Sequence, residues 1–169
     1  MRTPDPLTKH KQSLLSEEQY YQISNELDLL KGKLKATLLV FGDMNGQLIT
    51  HKGEIPGIDI TVLAALIASD FSATTEIAKL LGKENQFRLH FHEGTQQHLY
   101  ISSVGEEFFL AVVFDSSVTL GMVRIFTAKS ITKITRLIET SVEKAVQASN
   151  IVDAEFKTFI EEDLNKILG

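Results

Sequence analysis

Two stretches of this chain, Ala36 to Phe41 and Phe108 to Phe114, are almost continuously apolar, and they constrain the fold more than any other feature. Successive strand residues point to opposite faces, so a strand with one solvated face alternates apolar and polar side chains. A strand without alternation is buried on both faces and belongs in the middle of a covered sheet. Gln86 to His92 reads differently, because Phe87, Leu89 and Phe91 alternate with Arg88, His90 and His92. One dry face and one wet face suit a sheet edge. Gln47–Lys52 and His98–Val104 complete five strands. The connections Asp43–Gly46, Glu93–Gln97 and Gly105–Glu107 are short enough for hairpins, so the pairing is expected to be antiparallel. In the first hairpin Asn45 and Gly46 are expected to supply the positive-φ positions.

Helices fill the remaining length. Ser16-Glu17-Glu18-Gln19 is a capping-box pattern, in which hydroxyl and side-chain amide satisfy the free N–H groups at a helix start. Tyr20, Ile23, Leu27 and Leu30 follow at helical spacing, predicting a helix over Glu17–Lys31 that stops at Gly32. A second helix is expected from Asp59 to Gly82 and a third from Val118 to Ser149, the latter with Ile131, Ile134, Ile138, Val142 and Val146 on one stripe. Asn150 is expected to break it. After a short polar link comes an amphipathic helix, with Phe156, Phe159, Ile160, Leu164 and Ile167 on one side and Glu155, Glu161 and Glu162 on the other. The element order is αββαβββα, an α+β domain over 15–149, preceded by a flexible tail (1–14) and followed by a linker and helix (150–169).

Composition removes several function classes. A net charge of −5 over 169 residues argues against a nucleic-acid partner, which would need a basic face. Five acidic and two basic residues from Asn150 onward hold −3 of it. No uninterrupted apolar run is long enough to suggest membrane insertion. Met1 to Ser13, with Pro4, Pro6 and three basic residues, does not read as a secretory signal. The absence of cysteine excludes disulfides and thiolate metal sites and agrees with a cytoplasmic address. No phosphate-binding Gly-x4-Gly-Lys-Ser/Thr loop, Gly-x-Gly-x-x-Gly or Gly-x-Ser-x-Gly motif is present, so the chain is not expected to be an enzyme. His90 and His92 share a strand face with His98 near by, but an exposed polar strand explains them without a metal. Neither cofactor nor metal is expected.

The second helix carries the most suggestive pattern. At 100° per residue Leu63, Leu66, Ile67, Phe71, Thr74, Ile77, Ala78 and Leu81 fall on one face, the expected core face. Ala65, Ala68, Ser69, Ser72 and Glu76 fall opposite, flanked by Ala73 and Thr75. Small side chains let another backbone approach without losing side-chain entropy, so this face reads as a protein interface. A helix buried on both sides, or one merely rich in good helix formers, would show the same pattern. Asp70 falls within the apolar stripe and requires a donor that the local sequence does not show.

In the module from Leu38 to Arg124 the chain resembles the roadblock family, and specifically its bacterial MglB-type members. The resemblance rests on Phe41-x-x-Met44-Asn45-Gly46-Gln47-Leu48-Ile49, on Ile58-Asp59 before the small-residue helix, and on Ala78-Lys79-Leu80-Leu81-Gly82. It continues through Asn85-Gln86, His92-Glu93-Gly94, Leu99-Tyr100, Phe114-Asp115 and Ser117-Val118-Thr119-Leu120-Gly121-Met122-Val123-Arg124. It implies a sheet ordered 2-1-5-4-3, of which the doubly apolar strands already suggest the 2-1-5 core. It also implies a homodimer in which central helices pair and third strands join, with Ala65, Ala68, Phe87 and Leu89 at the interface. The partner it implies is a small Ras-like GTPase of the MglA type, in bacterial polarity and motility control, with recruitment to a cell pole. Two copies of the chain per GTPase are expected, because one GTPase across a two-fold surface breaks its symmetry. The expected contacts are Ser69, Ser72, Ala73 and Glu76. In MglB-type proteins a C-terminal helix also engages the GTPase, and here Phe156, Phe159, Ile160, Leu164 and Ile167 would be its anchors. The family accelerates hydrolysis by remodelling switch regions without an arginine finger; Arg88 is the sterically simplest candidate for one. A non-catalytic roadblock scaffold and a PAS- or GAF-like ligand sensor are the alternatives.

Overall fold

The computed structural model describes residues 15–82 and 86–168, without the side chains of 141–145, 148 and 167–168. The tail expected over 1–14, the Val142 stripe position and the Ile167 anchor therefore lie outside the described residues. The elements run α1 (Glu17–Leu34), β1 (Leu38–Asp43), β2 (Leu48–Gly53), α2 (Ile60–Leu81), β3 (Leu89–His92), β4 (Gln97–Val104), β5 (Phe108–Asp115) and α3 (Leu120–Leu168). Five strands form one sheet in the order β2-β1-β5-β4-β3, every neighbouring pair antiparallel. The two continuously apolar segments are the central strands β1 and β5, as their lack of alternation requires.

Each central strand feeds two cores. Leu38 and Val40 of β1, with Phe109, Ala111 and Val113 of β5, meet Ala64, Ile67, Ala68 and Phe71 of α2. Leu39 and Phe41, with Phe108, Leu110, Val112 and Phe114, meet α1 and α3 on the other face. Phe41 and Phe108 stack there with ring centroids 5.4 Å apart. Burying side chains of this size contributes about 1.5–3 kcal/mol each, so the two cores dominate the stability of the domain.

The capping box forms: Ser16 Oγ accepts from the Gln19 amide at 3.2 Å, and Gln19 Oε1 accepts from the Ser16 amide at 2.7 Å. The same Gln19 side chain, buried, donates to the Leu137 carbonyl at 2.9 Å and ties the start of α1 to the middle of α3. Gly32 does not stop α1. The helix continues to Leu34 and closes on Lys35, which takes a left-handed conformation (φ 48°). An interior glycine costs about 1 kcal/mol, and burying Leu34 offsets that. The β1–β2 turn also differs from expectation. Gly46 alone adopts positive φ (90°), while Asn45 keeps an ordinary backbone. The Asp43 carboxylate organises the turn instead, accepting from the amides of Asn45 (3.0 Å) and Gln47 (2.8 Å).

Asn150 does not break α3, which is a single helix over Leu120–Leu168. No proline or glycine occurs from Met122 to Leu168, and one interior Asn costs only about 0.7 kcal/mol relative to Ala. The polar link expected there is helical, and the distal half of α3 continues beyond the start of α1, where Gln19 meets Leu137.

Candidate interaction surface

Asp59 starts α2 by accepting from the amides of Thr61 (2.9 Å) and Val62 (3.3 Å), and Gly82 ends it. The helix is rotated about its axis, by less than one residue step, from the orientation that hydrophobicity alone suggested. Ala64 and Ala78 turn inward with Ile67 and Phe71. Ala68, expected at a dimer interface, is only 7% exposed and packs on its own sheet. Leu66, Ile77 and Leu81, expected in the core, stand outside. The reason is close approach. The β1–β2 turn lies against α2, so a Cβ placed on Gly46 would come 3.1 Å from Ala65 Cα and 3.7 Å from Ala68 Cβ. Only small side chains fit beneath the helix there, which leaves the large ones for the outer side.

The outer side is a stripe: Val62, Leu66, Ser69, Ala73, Ile77 and Leu80, at steps of three and four residues. Leu66 is 62% exposed and Leu80 87%. Small residues occupy the middle and large aliphatic ones both ends. Of the expected GTPase contacts, Ser69 and Ala73 lie within this stripe, and Ser72 and Glu76 flank it; all four are exposed. Glu76 pairs with Lys79 at 2.7 Å in water, and Ser69 Oγ donates back to the Ala65 carbonyl at 3.0 Å. Ala65 is also exposed, beside the turn. By length and composition α2 is long and apolar enough to cross a membrane, but here its inner face packs on the sheet and its charged Asp70 is paired.

That pairing joins α2 to the edge strand. Asp70 Oδ2 lies 2.7 Å from His90 Nδ1 and 3.3 Å from His92 Nε2. Burial alone would raise the Asp70 carboxyl, but hydrogen bonds from both histidines and their charge outweigh it and hold the group below the ordinary carboxylate range. An ionised carboxylate only accepts, so each facing ring nitrogen carries the proton. His90 also lies against the Phe71 ring, centroids 4.4 Å apart. This corrects the expected faces of β3. His90 is 8% exposed beneath α2, whereas Phe91 turns to the opposite face, towards His98 and Phe114, where the helical cover thins. Phe87 and Leu89, expected at the dimer interface, are both exposed beside the free edge of β3. Arg88 is exposed, its guanidinium donating to Gln86 Oε1 at 3.1 Å. The sequence signals for the Asp70 link were an acid in an apolar helix stripe and histidines alternating along a strand, each read separately.

A second apolar surface lies on distal α3, where Phe156, Phe159, Ile160 and Leu164 are all exposed, together with Ile151 and Val152. Among the described residues no group of His, Asp or Glu is arranged to hold a metal ion.

The arrangement has relatives. Residues 24–114 match the Roadblock/LC7 domain family. Myxococcus xanthus MglB superposes with a TM-score of 0.70 at 36% identity, covering 75% of this chain and 94% of that one. An MglB described with a tetrameric arrangement gives 0.67 at 28% identity, covering 75% and 94%. The gliding protein MglB of Thermus thermophilus gives 0.67 at 27% identity, covering 75% and 95%. No curated protein sequence matches. The matched residues span more than half of the chain and the sheet order is the one the resemblance implied, so the chain belongs to the Roadblock/LC7 domain family.

Proposed function

We propose that this protein is a homodimeric, non-catalytic regulator of a small Ras-like GTPase of the MglA type, accelerating the GTPase's own hydrolysis. The observation that carries the reading is the outer face of α2: a flat apolar stripe, small in the middle, beside an unpaired strand edge with Phe87 and Leu89 exposed. An exposed apolar stripe of this extent on a soluble domain marks an interface. Joining two copies at β3 would cover a hydrogen-bonding edge that otherwise invites aggregation. It would also bring two α2 helices side by side, with Ala65 and the ends of the stripe between them. The similarity to MglB supports this reading.

A single GTPase would then lie across the paired helices, one per two copies, touching Ser69, Ser72, Ala73 and Glu76. Small side chains there let switch segments of the partner approach the helix backbone. No arginine of this chain is assigned to the reacting phosphate; Arg88, the sterically simplest candidate, is engaged with Gln86. Acceleration would come from repositioning groups that the GTPase already has. Distal α3, through Phe156, Phe159, Ile160 and Leu164, would form a second contact that strengthens the complex and favours nucleotide release.

The test is GTP hydrolysis by the cognate GTPase with and without this protein. The rate should rise, and Ser72→Arg should abolish the rise by steric bulk and a desolvated charge while leaving the solution mass unchanged. Binding without any change in rate would indicate a scaffold instead.

A further inference from the structure

Two surfaces of this chain match in chemistry, and neither can reach the other within one molecule. The first is the groove between α1 and the proximal half of α3, a cleft of about 260 Å³ lined by Glu26, Lys33, Phe126, Lys129, Ser130 and Lys133. Lys33 and Lys129 both lie over the Phe126 ring, at 5.9 and 5.8 Å from its centroid. Glu26 at the base accepts from Ser130 Oγ at 2.7 Å and from Lys133 Nζ at 3.1 Å, so Lys133 is neutralised. Lys33 and Lys129 have no carboxylate partner among the described residues. Leu29, on the same flank of α1 as Glu26 and Lys33 by helical spacing, is exposed beside them. The groove therefore offers one apolar ring, Phe126, with Leu29 exposed beside it, and is positive at its rim.

The second surface is distal α3. Phe156, Phe159, Ile160 and Leu164 are exposed there, with Asp163 among them, and Glu155, Glu161 and Glu162 are exposed on the flanks, none of the four acids with an ion pair among the described residues. The helix is unbroken between Phe126 and Phe159. At 1.5 Å per residue those positions are about 50 Å apart along one axis, so the distal segment cannot turn back onto its own groove. An apolar helix face of this size in water calls for cover, and a helix laid in a two-helix groove is a common way to supply it.

We infer that distal α3 of one copy docks in the α1–α3 groove of a second copy, its acidic flank on Lys33 and Lys129 and its phenylalanines against Leu29 and Phe126. This contact lies on the opposite side of the sheet from α2. It uses the same face as the second GTPase contact proposed above, so the two are alternative occupants of distal α3. It does not rest on the GTPase reading, and it is measured on the protein alone.

Two measurements on the full-length chain test it. In an equimolar mixture of unlabelled and 15N-labelled protein, zero-length carbodiimide crosslinking should give mixed-isotope links from Lys33 or Lys129 to Glu155, Glu161 or Glu162. Amide exchange over residues 150–168 should slow with rising protein concentration. Lys33→Glu with Lys129→Glu should restore fast exchange, at least about fivefold. Glu161→Lys with Glu162→Lys should do the same, and because those positions lie outside both cores, misfolding cannot account for it. Combining all four substitutions should recover the protection. Links confined to single-isotope pairs, or exchange that ignores both concentration and charge reversal, would overturn the inference and leave a different partner as the cover for distal α3. A failure of the GTPase reading would leave these results unchanged.

Discussion

The outer face of α2 and the distal half of α3 are both exposed, helical and apolar, yet they are built on opposite physical terms. The α2 face is backed by a sheet. Its inner side is buried through Ala64, Ile67 and Phe71, and Asp70 fastens it to β3 through two histidines. Its shape is settled before any partner arrives, so binding orders little. Among the described residues neither core backs distal α3. It presents large side chains, with Phe156 62% exposed, on a helix whose described partners are its own backbone groups. Burying its five anchors is worth about 10 kcal/mol at roughly 2 each, while ordering some fifteen residues costs about 15–20 kcal/mol at 1–1.5 each. Helix formation offsets part of that cost, so docking there is conditional. A rigid surface sets geometry; a nearly balanced one responds to concentration and to partners.

The sharpest way to break this contrast is to truncate one phenylalanine in each region. Phe71→Ala should cost about 3–5 kcal/mol, since a buried aromatic leaves a cavity under α2. For a chain of this size each kcal/mol lowers the melting temperature by roughly 2–4 °C. Phe156→Ala should change stability by no more than about 0.5 kcal/mol. Chemical denaturation of the two variants reads both values, and equal losses would dissolve the distinction. A charge on the outer stripe comes next. Leu66→Asp should leave the melting temperature of the fold nearly unchanged but shift the light-scattering mass towards the monomer, because a desolvated carboxylate opposes helix pairing.

Asp70 sharpens the comparison at smaller scale. Its folded pKa lies below the ordinary 3.8, so the stability it contributes is present above the unfolded value and is lost as pH falls through the lowered folded one. Asp70→Asn should therefore cost about 1 kcal/mol or less near neutrality, discounted because the carboxylate is about one-third exposed. The difference from the unaltered protein should begin to shrink below about pH 4 and vanish only below the lowered folded pKa. Parallel denaturation curves across that range measure it, and a difference that grows in acid would contradict the linkage. The smallest effect is expected from deleting 152–169. Removing Phe156 and its neighbours touches neither core, so the melting temperature should stay within about a degree or two. A large drop would show that distal α3 belongs to the fold of its own domain.

Some of this was legible in the linear sequence because the signals are local. The capping box at Ser16, the helix start near Asp59 and the unalternating runs of β1 and β5 each involve neighbours in the chain. The exposed positions Ser69, Ser72, Ala73 and Glu76 were legible too, since polar and small residues clustered on one side of α2. The inward face of that helix was not. Alanine is tolerated equally inside and outside, so hydrophobicity assigned Ala68 to a partner and Leu66 to the core, whereas Ala68 packs on the sheet and Leu66 is exposed. Asp70 looked anomalous because its donors lie twenty and twenty-two residues away. The groove of Lys33, Phe126 and Lys129 brings together two helices nearly a hundred residues apart in the chain.

By itself, then, the sequence determined the order of elements, the two central strands, the helix starts and the family, because each follows from periodicity, capping chemistry or motif spacing within one segment. Tertiary structure alone decided which side of α2 faces the sheet, what satisfies Asp70, which way His90 turns and where two lysines frame Phe126. Those outcomes depend on contacts between distant segments, where burying one large side chain contributes a few kcal/mol and outweighs local preferences of a few tenths. The turn at Gly46 shows the mechanism most plainly: its close approach admits only small residues at Ala65 and Ala68, while Leu66 between them stands outside.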